Sequence, residues 1–476
     1  MTMVRVGETA IVLCYFILVL AIGLYFRNRR SADEYWSANG SIGTFVNSMA
    51  IFAAFASGGT FLGAIGIVYD LGVPLWWSAA VGSVAGFLIA AIFVAKPLRR
   101  LEMHTLPDIF DYLYTDSRIN VLAPVIILVG YFMYMVAQLR AGGLVSDYLL
   151  GVGYIPAVTA IGIVFIAYVA LGGMWAITVT DFLQGVLMWG LLAVIWAISF
   201  GYFGYSMSAP ISETPRVTGT GALEIQTYIG FALIWAFAIA VLPHIAMRAF
   251  SAKSPESAKR AYAWVALMYI IVTLPFVHIA GAAIAIDPEL AEADYALLLV
   301  MESILPELVA GFAAATILAA VMSSTDALLL AMAAALSNDL YGNAVSDVSE
   351  ERIVNLGTVS VVVIGLLGIV AAWSPPAYLV ELYTDGTGLM AAAFFFPLLL
   401  GIWWKPMNHY GAMAGMLGGS LAYAIAYFYT PMFGAIIYAV PVSLLCCLVA
   451  TWVTDSRSAE QIEKLSEELG HGRLGW

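Results

Sequence analysis

The chain has 476 residues, 62% hydrophobic and 11% charged, with a net charge of −12 and a mean hydropathy of +0.93. Soluble domains carry about 25% charged residues, so a soluble fold could not hide this apolar surface, and an all-α integral membrane protein of many spans is expected. The acidic balance gives nucleic acid no basic surface, no His, Asp and Cys grouping points to an enzyme, and no Walker-type glycine-rich loop or appended soluble domain points to a nucleotide-driven pump. Cys14, Cys446 and Cys447 all lie in apolar runs and make neither a disulfide framework nor a metal-ligand spacing.

The first apolar run, Thr9 to Phe26, is followed by Arg27, Arg29 and Arg30. A secretory signal has the opposite polarity, and positive charge after the run predicts an N-terminus outside the cell membrane. About 20 apolar residues span a bilayer. Thirteen such segments follow, at about 7–26, 44–69, 74–95, 120–147, 156–172, 176–201, 227–248, 261–286, 303–334, 353–373, 378–402, 410–430 and 432–453. Sixteen of the 19 basic residues then fall on the cytoplasmic side, Arg248 among them, and only Arg5 and Arg216 fall outside. That is the bias membrane proteins show. The loop after helix eight is acidic instead, with Asp287, Glu289, Glu292 and Asp294.

Helix two carries Gly58, Gly59, Gly63 and Gly66 together with Ser57 and Thr60. Glycine weakens a helix by roughly 1 kcal/mol relative to alanine, and irregular backbone at membrane depth is tolerated only where it is buried or lines a cavity. A break near Ala53 to Ser57 is expected, with freed carbonyls able to bind a cation. The loop 96–118 contains Leu106 to Tyr114, a short amphipathic helix on the inner surface beginning near Pro107. In helix four Arg140 is the one basic residue well inside a span. Its planar guanidinium could anchor a substrate carboxylate, or it could pair with Asp147 or a carboxylate of another helix, Glu381 and Asp385 of helix eleven included.

Asp181 sits in helix six, where a carboxylate costs about 2.5 to 3.5 kcal/mol at a helix centre. It marks either function or an interfacial group reaching water. Residues 202–226 read as an outer loop. Helix seven contains Gly230 and Pro243, followed by His244 in what reads as an unwound stretch. Glycine- and proline-interrupted helices at matching positions of two halves point to a transporter's binding site, and here they pair helices 2–6 with 7–11 as inverted repeats.

In helix nine Ala320, Ser323 and Ser324 share a face. Two hydroxyls with freed carbonyls make an oxygen cage suited to a hard cation such as Na⁺. The alternative is that the serines bond to their own helix or join two helices. Asp326 could face Asp181, and two buried carboxylates would need Na⁺, a proton or a basic partner between them. Residues 454–476 read as a cytoplasmic tail.

Three blocks, taken together and in order, resemble the sodium:solute symporter family, whose members share the LeuT-type fold. They are Ala53 to Gly63, Gly172 to Gln184, and Ala319 to Asp326 followed by Ser337 to Tyr341. The resemblance covers about residues 7–453. It implies a 5+5 inverted repeat over about 44–201 and 227–402, with one extra N-terminal and two extra C-terminal helices. It implies Na⁺ as coupling ion, held by the carbonyls of Ala53, Ala56 and Ala320 and the hydroxyls of Ser323 and Ser324. Asp181 would belong to a second cation site or the inner exit route, with Asp326 beside it where many relatives carry serine. Substrate would meet Ser57, Thr60, Gln138, Arg140 and His244 between helices two, four, seven and eleven. The run Leu242 to Arg248 is similar to that of monocarboxylate- and pantothenate-type members. A Na⁺-coupled symporter of a small carboxylate-bearing solute is therefore expected, with proline or another zwitterion as the alternative and a channel or transport-silent sensor as the rival class. Solute, Na⁺ and the bilayer are the implied partners, and no obligatory protein partner is implied.

Overall fold

The computed structural model describes residues 5–26, 40–101, 103, 105–219, 223–345, 348–374, 379–454, 457 and 459–469. Arg27, Arg29, Arg30 and Arg473, counted above on the inner side, lie outside the described residues. Helices make up almost all of it, and among the described residues no strand forms beyond an isolated bridge between Ile42 and Ala252. This follows from the solvent, because a bilayer offers backbone amides and carbonyls no partner and a helix satisfies both internally.

In chain order the helices used below are α1 (Val6–Phe26), α2 (Thr44–Phe55), α3 (Gly59–Leu71), α4 (Val73–Leu101), α5 (Leu106–Tyr114), α6 (Ile119–Leu150) and α7 (Tyr154–Tyr202). There follow α8 (Ile225–Ala238), α9 (Pro243–Ser251), α10 (Pro255–Ile286), α11 (Glu307–Gly342), α12 (Glu350–Ala372), α13 (Leu379–Trp403), α14 (His409–Tyr427), α15 (Ile436–Val453) and α16 (Ala459–Glu468). Among the described residues nine helical stretches are long and apolar enough to cross a bilayer, and the bent pair α2–α3 makes a tenth. The other three segments of the thirteen-span reading are also helical: α1, the first part of α7, and α14.

A straight helix of the length of α7, 49 residues, would be roughly 74 Å long, more than twice a bilayer's hydrocarbon core. Yet the hydroxyls of Tyr168 and Thr180 lie 2.5 Å apart. Twelve residues along one straight helix span about 18 Å, further than the two side chains reach. The axis therefore turns between the two halves, which pack as the separate helices five and six expected from the sequence.

The centre of the fold is α11, whose most apolar 18-residue stretch is wholly buried and which packs against α1, α2, α6, α7 and α12. Two helices beside it are broken. The axes of α2 and α3 differ by 63°, and α8 and α9 are separated by Ile239 to Leu242. The unwound stretch thus lies before Pro243, and His244, expected within it, instead sits in the first turn of α9. Gly230 does not break its helix. It permits a close approach, since a Cβ there would lie 2.1 Å from the carbonyl oxygen of Phe433.

The short helix α5 forms over Leu106–Tyr114 as expected. Thr105 caps it by accepting from the Asp108 amide at 3.2 Å while Asp108 accepts from the Thr105 amide at 3.0 Å. The tail lies against this helix. Arg457 donates to the carbonyls of Leu113 at 2.8 Å and Gly401 at 3.2 Å, and Arg100 donates to that of Leu469.

Candidate functional site

The site forms where α2 stops. A helix leaves its last carbonyls without amide partners, and here Ala56 turns out of helical geometry (φ −73°, ψ 82°). Phe52 still accepts from the Ala56 amide at 2.7 Å. The next two carbonyls are met from α11: the Ser323 hydroxyl donates to Ala53 at 2.8 Å and the Ser324 hydroxyl to Ala54 at 3.0 Å. Ser323 also lies 3.0 Å from the Ala320 carbonyl. The amide of Thr60 donates to Ser57 at 2.9 Å, so the Ala56 carbonyl lacks the partner a continuing helix would give it. All of these residues are buried. The serines thus both bond within α11 and join it to the break. The pairing of Ser324 with Ala54 brings a further carbonyl, beyond those of Ala53, Ala56 and Ala320, to this point.

The break restarts on side chains. The amide of Gly58 donates to Gln138 Oε1 at 3.0 Å and that of Gly59 to the Ser57 hydroxyl at 3.1 Å. The Nε2 of Gln138 is buried without a hydrogen-bond partner, as is the hydroxyl of Thr384 on α13. A Cβ at Gly59 would lie 2.3 Å from the Tyr383 ring, so glycine lets α13 approach the restart. Aromatic rings surround it. Tyr134 and Tyr383 lie 5.5 Å apart between centroids, Trp235 and Tyr383 5.9 Å, and Phe55 meets both Trp235 at 5.3 Å and Tyr269 at 5.0 Å.

At the second break Tyr131 takes the part that the serines take at the first. Pro243 has no amide hydrogen, and the amide of His244 donates to the Tyr131 hydroxyl at 3.1 Å. The same hydroxyl shares a 2.5 Å hydrogen bond with His244 Nδ1. Tyr131, Tyr134 and Gln138 fall at i, i+3 and i+7 of α6, one face of an otherwise apolar helix. That polar stripe is the signal by which the two tyrosines could have been found; only Gln138 was.

The charged residues separate into two groups. In one, the Arg140 guanidinium lies 3.5 Å from Asp294 and 3.8 Å from Glu292. These two carboxylates belong to the acidic loop after helix eight, a partner on neither α6 nor helix eleven. Burial pushes the Asp294 carboxyl up from its ordinary value, and Arg140 opposes that shift. In the other, Asp181 is fully buried and does not reach water. It pairs with Arg248, which the charge rule had placed among the cytoplasmic cations and which is itself 1% exposed. A second nitrogen of Arg248 donates to the Thr178 hydroxyl at 2.8 Å. Asp326, also fully buried, feels both Asp181 and Arg248, and neither of its oxygens has a hydrogen-bond partner.

Among the described residues no three His, Cys, Asp or Glu side chains converge on one point as metal ligands. The oxygens at the first break are carbonyls and hydroxyls, hard donors that suit an alkali cation rather than a transition metal.

Residues 35–419 match the sodium:solute symporter family. The chain is 29% identical over 428 residues to a sodium/pantothenate symporter of Escherichia coli (strain K12), covering 86% of this chain and 88% of that protein. It is 26% identical over 434 residues to an osmoregulated proline transporter of Bacillus subtilis (strain 168), covering 85% and 86%. In fold it is similar to a Na⁺-coupled sialic acid symporter solved in a substrate-bound outward-open state, with a TM-score of 0.82 at 19% identity over 95% of this chain and 99% of that one. A nucleobase-cation-symport-1 family transporter aligns with a TM-score of 0.61 at 15% identity, covering 93% and 99%.

Proposed function

The chain belongs to the sodium:solute symporter family, and we propose that its solute is a small carboxylate-bearing one, taken up by alternating access. It is a multi-pass transporter of the cell membrane, moving a small organic solute with Na⁺ as the coupling ion, and not an enzyme. In this reading Na⁺ binds between the carbonyls of Ala53, Ala56 and Ala320 and the hydroxyls of Ser323 and Ser324. Ala54 stands beside them. A cation there would draw the carbonyl lone pairs that now accept the serine hydrogens, and the hydroxyls would turn their own lone pairs inward. Binding would then fasten the broken helix to α11. Asp181 and Asp326, below the cage, would lie on the inner exit route.

The observation that carries the solute reading is the Nε2 of Gln138, a buried donor with no acceptor at the opened backbone. Buried polar groups are almost always paired, so an acceptor brought by the solute fits here. The amino ends of two half-helices, α3 and α9, add positive dipole ends of the kind that face anionic substrate groups in broken-helix transporters. Ser57, Thr60 and His244 would complete the contacts, with Arg140 holding the outer loop through Asp294 and Glu292. Pantothenate and proline, carried by the two relatives, both bear a carboxylate. A zwitterion such as proline is the second reading. The faces of Tyr134, Trp235 and Tyr383 favour it, because aromatic faces attract an ammonium group.

The two breaks fall in the first helix of each expected repeat, about 44–201 and 227–402, which supports the inverted-repeat division; the outside N-terminus and a cytoplasmic tail over 454–476 rest on the bias of the basic residues. The test is uptake by proteoliposomes under an inward Na⁺ gradient. Acetate, pyruvate, pantothenate, proline, urea and glucose would be offered, with Li⁺ and H⁺ as alternative ions. Na⁺-driven uptake of a carboxylate is expected. Uptake confined to urea or glucose would refute the solute class, and proline alone would select the second reading.

A further inference from the structure

A cavity of about 490 Å³ opens where the tail helix α16 meets the end of α5 and the start of α14. Its lining includes Tyr112, His409, Tyr410, Arg457, Gln461 and Lys464, and among the described residues no carboxylate. In a chain of net charge −12 such a lining stands out. Of the α16 side chains Lys464 lines the cavity, whereas Glu463, Glu467 and Glu468 do not. Asp116 lies 3.8 Å from His409, but Arg118 already holds it through hydrogen bonds of 3.1 and 2.8 Å.

Four groups here offer hydrogens to an anion. Arg457 is fixed by its bonds to the carbonyls of Leu113 and Gly401, in the last turns of α5 and α13, and lies over the Tyr114 ring at 5.2 Å. A guanidinium has five N–H donors, so three remain after these two bonds. Lys464 has no ion-pair or hydrogen-bond partner among the described residues. The Tyr112 hydroxyl is buried and likewise lacks a hydrogen-bond partner. At the amino end of α14 Asn408 accepts from the Gly411 amide at 2.9 Å, while the first-turn amides of His409 and Tyr410 have no intrahelical acceptor. A helix amino end, a guanidinium and an ammonium around one space suit phosphate oxygens, which several donors can share. Arg457 also follows closely on the exposed apolar end of α15, Trp452 and Val453. The cavity therefore sits where a membrane span ends, at the level of lipid headgroups.

We infer that this cavity is a binding site for a phosphate group, carried by an anionic membrane lipid or by a soluble phosphate. The group accepts from Arg457, Lys464, the Tyr112 hydroxyl and the first-turn amides of α14, and so ties the tail to α5 and α14. Arg457 already joins the ends of α5 and α13, and α13 carries Tyr383 against the restart of the first broken helix. The site is independent of the Na⁺ and solute readings.

The test follows thermal unfolding of the purified, delipidated full-length chain in detergent. Three additions are compared: potassium phosphate against potassium chloride at equal ionic strength, short-chain phosphatidylglycerol, and short-chain phosphatidylcholine. Phosphatidylglycerol is expected to raise the midpoint and phosphatidylcholine to leave it in place. A rise with potassium phosphate identifies soluble phosphate as a ligand, and a rise with phosphatidylglycerol alone identifies the lipid. Lys464→Gln should need roughly tenfold more of the effective anion for half of the shift, the loss of one bond to a charged group. Tyr112→Phe should need about fivefold more, and Glu463→Gln, on the same helix but outside the cavity, should need the same amount. Arg457→Gln should abolish the shift; because it also frees two helix ends, the Lys464 and Tyr112 variants carry the test if it does not fold. No shift with either anion, an equal shift with phosphatidylcholine, or a shift that Lys464→Gln and Tyr112→Phe leave unchanged would overturn the site.

Discussion

At the first break the carbonyls of Ala53 and Ala54 are met by hydroxyls from α11, 270 residues away in sequence. At the second the chain mends itself only at its two edges. The carbonyl of Ala238 takes the amides of Val241 and Leu242 at 2.8 and 2.9 Å, and that of Leu242 takes those of Ile245 and Ala246 at 3.0 and 2.9 Å. The first break therefore presents acceptors to tertiary donors, and the second presents the His244 amide and ring to a tertiary hydroxyl, that of Tyr131. Between its two closed carbonyls those of Ile239, Ala240 and Val241 lose their helical partners, since Pro243 has no amide hydrogen, the His244 amide goes to Tyr131 and the Ile245 amide to Leu242. Two interruptions that look alike as punctuation thus differ in the side chains set against them: two α11 serines that donate to carbonyls at the first, and an α6 tyrosine that accepts from an amide at the second.

The sharpest way to break this comparison is to remove both hydroxyls. Ser323→Ala with Ser324→Ala should raise the Na⁺ concentration needed for half-maximal uptake by at least about 100-fold. Bonds to a charged group contribute about 1.5–3 kcal/mol each, and two are lost. Uptake with unchanged Na⁺ dependence would place the ion elsewhere. Packing offers the next contrast. An alanine Cβ at Gly230 would meet the Phe433 backbone, whereas one at Gly59 would meet the edge of the Tyr383 ring. Overpacking costs roughly 1–3 kcal/mol. Gly230→Ala should lie at the upper end, because backbone cannot rotate aside, and thermal unfolding of the purified variants would rank the two. At the second break Tyr131→Phe removes one hydroxyl from the His244 amide and ring, a loss of about 1 kcal/mol. It should lower thermal stability slightly while leaving Na⁺ affinity as it was; a large Na⁺ effect would erase the distinction between the breaks.

The smallest effect lies away from both. Hydrogen bonds from Arg118 hold the Asp116 carboxyl down at about 2. A lowered value means that the pair stabilises the fold above the usual carboxylate range and loses that contribution as pH falls from about 4 towards 2. Surface pairs contribute under about 1 kcal/mol, so Asp116→Asn should flatten the acid limb of the stability profile slightly and leave uptake at neutral pH unaltered.

The membrane class, the helical segments and the serine cluster set against a broken helix were legible in the amino-acid order, and for one reason. In a chain this apolar every deviation is conspicuous: glycines in a span, paired serines on one face, a carboxylate at depth. Hydropathy is a local property, and so are helix periodicity and the cost of a glycine. What could not be read locally was partnership. Arg248 sits near a helix end, where the charge rule accounts for it as a cytoplasmic cation, and only the packing of α9 against α2, α4 and α11 sets it beside Asp181. Arg140 finds Asp294 and Glu292 because the loop that carries them packs against α3. Tyr131 reaches His244 across 113 residues. The sequence by itself determined which groups are too costly to bury alone. The tertiary structure decided which of them share that cost, since a buried charge or open carbonyl is satisfied by whatever the fold brings within about 3 Å, and that distance is set by helix packing rather than by order along the chain.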